Sequence, residues 1–505
     1  MLLAAAGASW LSAAPPSQPE QGPRGAVRPI SAAETENFTT ALMRVIDFIS
    51  QNYYQPITPE ELTARALVAL YEAAGIAVPP YLRGDLQKAL VGRDLRLEVE
   101  QVRRALGNPP ALAGPRALRV ALAGVMAGLD PHSSITWYDE RLAETARYER
   151  GSLGLNIEEP APGRTTVHVR SVQLDGPASQ AGIQPGDELL AIDQELIPPG
   201  TTNVRLTRLI SGGVGQQRQV TFRPLDAKEP RRVTVTLQPA VDDSLRGVRR
   251  LDDGLGWDYW LDREAQIALI RVGALQPGTS STLARLLAML TEGGLSGLVL
   301  DLRDCPGGGL QAAADIGSLF LPAETLIAKA YYRGGERPDQ QTEEFRALEG
   351  LQIYSARMAV LIGPDTTGGG ELIAAALQDH RRAELFGSRT RGKGTIQRTD
   401  QTVDVVMRPN PYPFTLTLTS GLLLRPSGQP LQRLPNHTEK DAWGVTPSPA
   451  GEIRLPMEQV RQIRRWRHQQ DLRLPGQRGL LRLDLPENDP VLHAAWRWLV
   501  RSARS

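Results

Sequence analysis

Short apolar runs alternate with segments of helical period between residues 266 and 378, and this alternation is the strongest constraint on the fold. The apolar runs have the length of buried strands, and the longer segments between them repeat their apolar residues as a helix does. The runs are residues 267–270, 298–300 and 359–362, and the helical segments are residues 281–290, 312–320 and 371–378. Strands that alternate with helices predict a sheet covered by helices, which is an α/β domain.

The pattern changes on both sides of this region. Residues 31–150 keep a helical period and predict a helical N-terminal domain. Residues 151–243 contain short alternating runs separated by Gly and Pro turns, which predicts a β-rich module. The α/β domain is expected over residues 244–450, followed by a basic, arginine-rich extension over residues 451–505 with the apolar stripe of a docked helix. The sequence therefore predicts a multi-domain α/β protein.

The first residues resemble part of an export signal. Residues 1–14 are apolar or small, and Ser12, Ala13 and Ala14 offer a cleavage site, although a basic start is missing. The run is too short to span a bilayer. We therefore expect residues 1–30 to be a signal segment and linker, no integral membrane span beyond it, and a periplasmic or other extracytoplasmic location. A disordered, alanine-rich N-terminus is the alternative.

Charge and composition exclude several classes of function. The 505 residues carry 57 basic and 56 acidic side chains, for a net charge of +1, so a nucleic-acid partner is not expected. One cysteine and six scattered histidines form no metal-binding pattern, and neither a metal nor another cofactor is expected. Only five basic residues are lysines, and Lys393 lies between two glycines. A desolvated lysine can lose its proton whereas an arginine cannot, so Lys393 is a candidate general base.

The β-rich module resembles a PDZ domain. Residues 176–192, GPASQAGIQPGDELLAI, contain in order a short helix, a Gly-Ile turn, a Gly-Asp pair and an apolar strand. The resemblance implies strand addition by a polypeptide whose C-terminal carboxylate is received by free amides of a glycine-containing loop. A PDZ fold that serves only as a structural or gating arm is the alternative. The expected peptide-binding residues are Gly151, Leu153, Gly154, Leu155 and Asn156.

Four further segments, in the same order along the chain, resemble the C-terminal processing peptidases, also called tail-specific proteases. They are LDPHSS at residues 129–134, LVLDLRDCPGGG at 298–309, VLIGPDTTGGGELIAAALQD at 360–379 and RGKGTIQ at 391–397. The resemblance extends over roughly residues 35–450. It implies a crotonase-like peptidase core in which a serine at the start of a helix attacks the scissile carbonyl, with a neutral lysine as its general base.

The resemblance supplies the base of this reaction but not the nucleophile. Lys393 matches the lysine, and Gln397 matches the glutamine that orients it. The strand before the nucleophile and the helix after it align without a gap, so the position of the serine is Gly368, which has no attacking atom. The nearest hydroxyls are those of Thr366 and Thr367. A threonine can act as a nucleophile, but its β-branch restricts χ1 and the one-residue shift moves the oxygen.

The oxyanion-binding part of the machinery is expected to persist. Gly307 and Gly308 match the family's glycines that help to hold the oxyanion, and the amide of Gly369 would complete the set. Backbone donors of this kind do not depend on side chains. A phosphate-binding loop is a weak alternative, because the glycine and lysine spacing of that motif is absent.

Three functions are compatible with the sequence. The first is an exported pseudo-peptidase that binds polypeptide C-termini through its PDZ module and does not cleave them. The second is an active endopeptidase in which Thr366 or Thr367 replaces the serine. The third is a carrier of a small apolar ligand, a function that non-proteolytic relatives of this fold imply.

Overall fold

The computed structural model describes residues 29–137, 150–157, 166–173, 176–198, 201, 206, 209–239, 244–251, 256–276, 278–333, 342–400, 414–434, 436–471 and 489–502. The expected export signal lies outside them. Within these ranges, no helix is both long and apolar enough to cross a membrane. The chain divides into two compact units, one formed by Met1–Asp47 with Thr58–Gly128 and the other by Phe48–Ile57 with Leu129–Ser505.

The first unit is helical, as its sequence period predicts. Thr58 begins one helix by accepting a hydrogen bond from the amide of Glu61, and Asp94 begins another by accepting from Leu97. Each helix buries its apolar face, as shown by the fully buried Leu62 on the first and Val99 on the second. The α-helices of this region are Ala32–Asn52, Pro59–Ala73, Leu95–Leu106 and Arg116–Met126, with short 3₁₀ turns at Pro80–Leu82 and Pro110–Leu112.

The β-rich module begins the larger unit. Its main sheet has the order Leu155–Ile157, Val167–Val172, Glu188–Ile192, Gln217–Arg223 and Arg231–Thr236, and Glu195–Leu196 pairs with Glu188–Ile192. A second sheet contains Gln238–Pro239, Arg150–Ser152 and Ser211–Gly213. A short helix, Pro177–Gln180, packs with its Ala178 in the module's apolar core. The module therefore has its own hydrophobic core.

The α/β domain contains the strand and helix alternation that opens the sequence analysis. Its six-stranded sheet has the order Leu245–Arg246, Ile267–Val272, Gly297–Asp301, Arg357–Ile362 and Glu384–Gly387, and the last four strands are parallel. Trp260–Asp262 pairs with Ile267–Val272, and Arg249–Arg250 pairs with Trp257–Asp258. The associated α-helices are Thr279–Glu292, Leu310–Ser318 and Gly369–Asp379, and a 3₁₀ turn spans Pro449–Gly451. The α/β prediction is confirmed.

A second, antiparallel sheet completes this domain. It contains Ser134–Trp137, Phe414–Leu424, Leu326–Tyr332 and Thr342–Arg346, with Thr395–Asp400 paired to Phe414–Leu424. Residues 134–137 lie in the range expected to be helical, yet they form a strand. Their Ser-Ile-Thr-Trp sequence includes β-branched and aromatic residues, and it finds a partner in a strand nearly 300 residues later.

The carboxyl ends of two neighbouring parallel strands define the place of the candidate site. Gly297–Asp301 and Arg357–Ile362 are paired in parallel, so the loops that follow them, residues 302–309 and 363–368, leave the same edge of the sheet. Ligand sites in open α/β sheets form at such carboxyl edges. The second loop leads directly into Gly369–Asp379, which we call the elbow helix.

Two helices from the basic extension pack on this domain. Met457–Asp471, the tail helix, directs Arg464 to Asp304 and Asp365, and Arg467 to Asp301 and Asp489. The final helix, Pro490–Ser502, packs its apolar face on the parallel sheet. Arg464 and Arg467 are therefore paired with acidic groups at the carboxyl edge of the parallel sheet and with Asp489 of the extension itself. These pairs agree with the expected docked helix.

Burial and ion pairing act in opposite directions on these aspartates. Burial raises the pKa of the Asp365 carboxyl, but the guanidinium groups of Arg464 and Arg391 outweigh it and hold the pKa at about 2. Burial likewise opposes ionisation of Asp301, yet Arg303 and Arg467 hold its pKa well below the usual range. Both carboxylates are charged at neutral pH, and they fix the loops to the tail helix.

The tail helix also contacts the β-rich module. Arg465 donates to Asp187 over 2.8 Å, and the Gln469 amide donates to Gln184 Oε1 over 3.0 Å. Asp187 belongs to the Gly-Asp pair of the PDZ-like sequence. One helix is thus bonded both to this module and to the loops of the α/β domain.

Candidate active site

The nucleophile position forms a sharp turn at the start of the elbow helix. Gly368 is the N-cap residue, with φ +50° and ψ −116°, a conformation that costs a non-glycine residue about 1–3 kcal/mol. A Cβ added there would have its nearest neighbour, Gly307 Cα, 3.9 Å away. The backbone thus has the strained turn and the space that a nucleophile needs, while the side chain is missing.

Both nearby threonine hydroxyls donate hydrogen bonds to backbone carbonyls. Thr366 is fully buried, and its Oγ1 donates to Leu302 O over 2.8 Å and accepts from Gly363 N over 3.0 Å. Thr367 Oγ1 donates to Pro306 O over 2.6 Å. These bonds tie the elbow loop to residues 302–306. The two side chains therefore act as structural supports, with their protons donated to backbone carbonyls.

The expected oxyanion glycines lie together at the elbow. Gly307 has φ +89°, and a Cβ there would lie 2.9 Å from Thr367 O and 3.1 Å from Gly369 N. A Cβ on Gly308 would come within 2.1 Å of Leu275 O. Both positions require glycine because the backbones approach so closely. The structure brings Gly307, Gly308 and Gly369 to one place beside the start of the elbow helix, where backbone amides favour negative charge.

Glu371 joins the elbow to the lysine loop. Its fully buried carboxylate accepts from the amide of Gly368 over 3.0 Å, which is one half of a capping box, since Gly368 has no side chain to form the other half. It also accepts from Gly392 N over 2.7 Å, Lys393 N over 2.8 Å and Thr390 Oγ1 over 2.5 Å. One carboxylate thus fixes the backbone of both Gly368 and Lys393.

Lys393 is half-buried and its flanking glycines pack tightly. A Cβ on Gly392 would lie 2.8 Å from Trp443 Cε3, and a Cβ on Gly394 would lie 2.5 Å from Gln432 N. Within the described part of the chain, the Lys393 ammonium makes no hydrogen bond or ion pair. The lysine loop is therefore built so that the backbone is held in place while the side chain keeps its donors free.

Comparison with known protein families gives two matches along the chain. The family model described as peptidase family S41 matches residues 266–447, and the model described as a PDZ domain matches residues 142–212. Residues 266–447 belong to peptidase family S41. The resemblance to the C-terminal processing peptidases is confirmed, and the β-rich module is a PDZ domain.

Named relatives of the S41 and PDZ regions are processing proteases. The carboxyl-terminal-processing protease of Synechocystis sp. is 29% identical over 269 residues, which are 51% of this chain and 56% of that protein. The carboxy-terminal-processing protease of Bartonella bacilliformis is 27% identical over 338 residues, covering 66% of this chain and 70% of that protein. The chain thus spans little more than half the length of the Synechocystis relative.

A solved structure shares the fold. The photosystem II D1 C-terminal processing protease aligns with a TM-score of 0.52 at 18% identity, covering 86% of this chain and 98% of that one. At this identity the likeness concerns the fold alone.

Gln397 of the S41 domain bonds to hydroxyls rather than to the lysine. Its amide donates to Thr395 Oγ1 over 2.8 Å and to Thr419 Oγ1 over 3.3 Å, and Thr419 in turn donates to Asp130 Oδ1 over 2.9 Å. No hydrogen bond between Gln397 and Lys393 occurs in the described residues. Gln397 therefore connects the strand after Lys393 to the upstream LDPHSS segment.

The loop of the PDZ domain differs from the expected nest of free amides. The Leu153 amide donates to Ile210 O over 2.9 Å, and the Gly154 amide donates to the Ser152 hydroxyl over 3.0 Å. Gly151 lies in a paired strand, and Leu155 and Asn156 begin the strand at the end of the main sheet. Hydrogen bonds within the protein therefore occupy two of the amides that were expected to receive a carboxylate. Part of the region after this strand, residues 158–165, lies outside the described residues.

Glu371 is the functional residue that the sequence analysis missed, although a glutamate three residues after a helix N-cap is a recognisable signal. Burial raises the pKa of its carboxyl to about 6, and its four hydrogen bonds oppose that shift. A carboxyl with a raised folded-state pKa favours folding most below its unfolded pKa, near 4.5, and loses this contribution as pH rises through 6.

We expect Glu371→Gln to remove this pH dependence. The difference in unfolding free energy, wild type minus E371Q, should fall by about 2 kcal/mol between pH 4 and pH 7.5. Urea unfolding of both proteins across this range measures it. A difference that is constant with pH, or that rises, would contradict the prediction.

Proposed function

We propose that the chain is a non-cleaving member of the C-terminal processing peptidases, which binds polypeptide C-termini through its PDZ domain and holds the bound segment in the S41 cleft. The observation that carries this proposal is Gly368, an elbow position without a hydroxyl that lies beside the closely packed Gly307 and Gly369. A site that keeps its donors but lacks its nucleophile can bind a carbonyl without attacking it.

The threonine alternative has weaker support. The Lys393 side chain favours it, because it has no partner among the described residues and its neutral amine can accept a proton from a hydroxyl. The hydroxyls of Thr366 and Thr367 oppose it, since each is buried and donates its proton to a carbonyl on the neighbouring loop. For either oxygen to attack, the contact between the two site loops would have to break.

A carrier of a small apolar ligand has less support. The cavity next to the site, of about 270 Å³, is lined by arginines and aspartates. An apolar ligand would have to displace water from these groups without compensating them, which is unfavourable.

A two-part assay tests the proposal. We expect a pool of fluorescein-labelled decapeptides with free carboxyl termini to bind the full chain more tightly than the same pool with amidated termini. Mass spectrometry should detect no cleavage of the pool or of unfolded casein. Cleavage that Lys393→Ala abolishes would overturn the proposal, and so would equal binding of the two pools.

We also propose that the protein is exported, on the strength of the apolar run at residues 1–14. Immunoblots of cytoplasmic and periplasmic fractions would show where the mature chain resides; a protein found only in the cytoplasm contradicts export.

A further inference from the structure

Arg170 of the PDZ domain is a buried cation without a hydrogen-bonding partner among the described residues. Its side chain is 6% exposed, and its Nε makes no hydrogen bond. No ion pair or hydrogen bond engages the rest of its guanidinium within the described residues. Its electrostatic neighbours are Asp365 and the Cys305 thiol, both on the loops of the S41 site. Buried charges are normally paired and hydrogen-bonded, so this arginine calls for an explanation.

A β-bulge gives Arg170 its direction. Asn156 pairs with Ser171 and Ile157 pairs with Val169, which leaves Arg170 as the extra residue. Val169 belongs to the apolar core of the PDZ domain, whereas Arg170 lines a cavity together with Asp304 and Pro306 of the S41 domain. Bulges near functional sites commonly re-aim one side chain in this way. The bulge therefore leaves the charged Arg170 without a partner residue in the strand Leu155–Ile157.

Arg170 lines the cavity between the PDZ loop and the S41 site. This cavity of about 270 Å³ is bounded on one side by Ser152, Gly154 and Asn156 and on the other by Pro306 of the oxyanion loop. The expected peptide-binding loop and the expected oxyanion loop therefore open into the same space.

The other charged side chains that line the cavity already have partners. Arg271 is paired with Asp471, and Arg467 is paired with Asp301 and Asp489. Asp301 is held by Arg303 and Arg467, and Asp304 by Arg464. Neither carboxylate forms an ion pair with Arg170. An anion that enters the cavity would complete the guanidinium's hydrogen bonds.

We propose that this cavity is a carboxylate-binding site and that Arg170 is its direct ligand. The planar guanidinium can donate two parallel hydrogen bonds to one carboxylate. Because the amides of Leu153 and Gly154 are bonded within the protein, a carboxylate at this loop needs another donor, and Arg170 supplies it. The carboxylate comes from the C-terminus of a bound polypeptide, in which case the inference rests on the proposed function, or from a free small dicarboxylic acid.

Binding by Arg170→Met tests the assignment, with Arg232→Met as the matched control because Arg232 is an exposed arginine of the same PDZ domain. In the peptide arm, fluorescence anisotropy compares the free-acid and amidated decapeptide pools. We expect R170M to weaken binding of the free-acid pool at least tenfold and R232M to leave it unchanged. In the second arm, sodium succinate should raise the Tm of the wild type and of R232M but not that of R170M.

The two arms separate the sources of the carboxylate. Sensitivity to R170M in the peptide arm assigns the site to a polypeptide C-terminus, and sensitivity in the succinate arm alone assigns it to a small acid. If R170M binds the free-acid pool as tightly as the wild type and neither protein responds to succinate, the inference is overturned while the proposed function stands. If no peptide binds the wild type, the proposed function fails and the succinate arm decides the inference.

The thermal unfolding of unliganded R170M distinguishes a binding arginine from a structural one. Because the guanidinium donates no hydrogen bond in the described structure, we expect the Tm of R170M to equal or exceed that of the wild type. A Tm lower by more than about 4 °C would show that the folded state needs this arginine and would overturn the assignment.

Discussion

Gly368→Ser is expected to convert the protein into an endopeptidase. A serine there would have room for its Cβ, since the nearest neighbour is 3.9 Å away. The φ of +50° would cost the serine about 1–3 kcal/mol, and the surrounding structure already holds the backbone in this conformation. Its hydroxyl would lie at the start of the elbow helix, beside Gly307 and Gly369. With Lys393 as base and the amides as oxyanion donors, cleavage of unfolded casein should rise from background to a measurable rate.

Two further variants make this result specific. Gly368→Ala has the same backbone strain and no hydroxyl, so it should remain inactive. In G368S, the additional substitution Lys393→Ala should lower the rate by about 10²–10⁴-fold, the usual contribution of a general base. The rate is measured as the release of labelled casein fragments, after circular dichroism has shown that each variant folds. The prediction is wrong if folded G368S is no more active than G368A, or if the K393A change has no effect.

Asp489→Ala is expected to cause the largest loss of stability. Its fully buried carboxylate accepts from Arg303 and Arg467, and it also accepts from Leu492 N at the start of the final helix. In D489A, the largely buried guanidinium groups of Arg303 and Arg467 would share a single carboxylate, that of Asp301. Removing one partner from a buried ion pair costs about 3–5 kcal/mol, and the helix cap is lost as well.

Urea unfolding followed by tryptophan fluorescence measures this loss, because the final helix contains Trp496 and Trp498. Glu452→Ala is the control: its partner is Arg454, and both side chains are largely exposed. Such pairs contribute less than about 1 kcal/mol. Equal midpoints for D489A and E452A would contradict the assigned role of the buried cluster.

Local sequence was sufficient to predict the elements that build the site. The apolar runs at 298–300 and 359–362 are neighbouring parallel strands, and their register places Gly307 against Gly369. Helical period and strand alternation are properties of a few adjacent residues, so they can be recognised without knowledge of the fold. The close packing of the glycines follows once the two loops share one edge of the sheet.

The hydrogen-bond partners at the site could not be predicted in the same way. Thr366 offers a hydroxyl in the sequence, but the carbonyl that accepts its proton belongs to Leu302, 64 residues earlier. Likewise, the Leu153 amide donates to the carbonyl of Ile210, which lies 57 residues later in the chain. Donors and acceptors separated by such distances meet only through tertiary packing, and the sequence contains many equally suitable alternatives.

The role of the arginines in the tail also could not be predicted from the sequence. Their number makes residues 451–505 basic, and charge alone suits either solvent or an anionic partner. The decisive observation is that Arg464 and Arg467 reach carboxylates more than 90 residues earlier in the chain. Only the folded structure shows that these charges are internal.

The double attachment of the tail helix determines which fragment of this protein can be produced for further work. A PDZ domain cut out at residues 151–243 would leave Asp187 without its Arg465 partner, and a core ended at residue 450 would expose Asp301 and Asp365 without Arg467 and Arg464. The isolated PDZ domain would lose the arginine paired with Asp187, and the shortened core would keep only Arg303 for Asp301 and Arg391 for Asp365. The smallest piece suited to expression and crystallisation with peptides therefore retains the PDZ domain, the S41 domain and both helices of the extension.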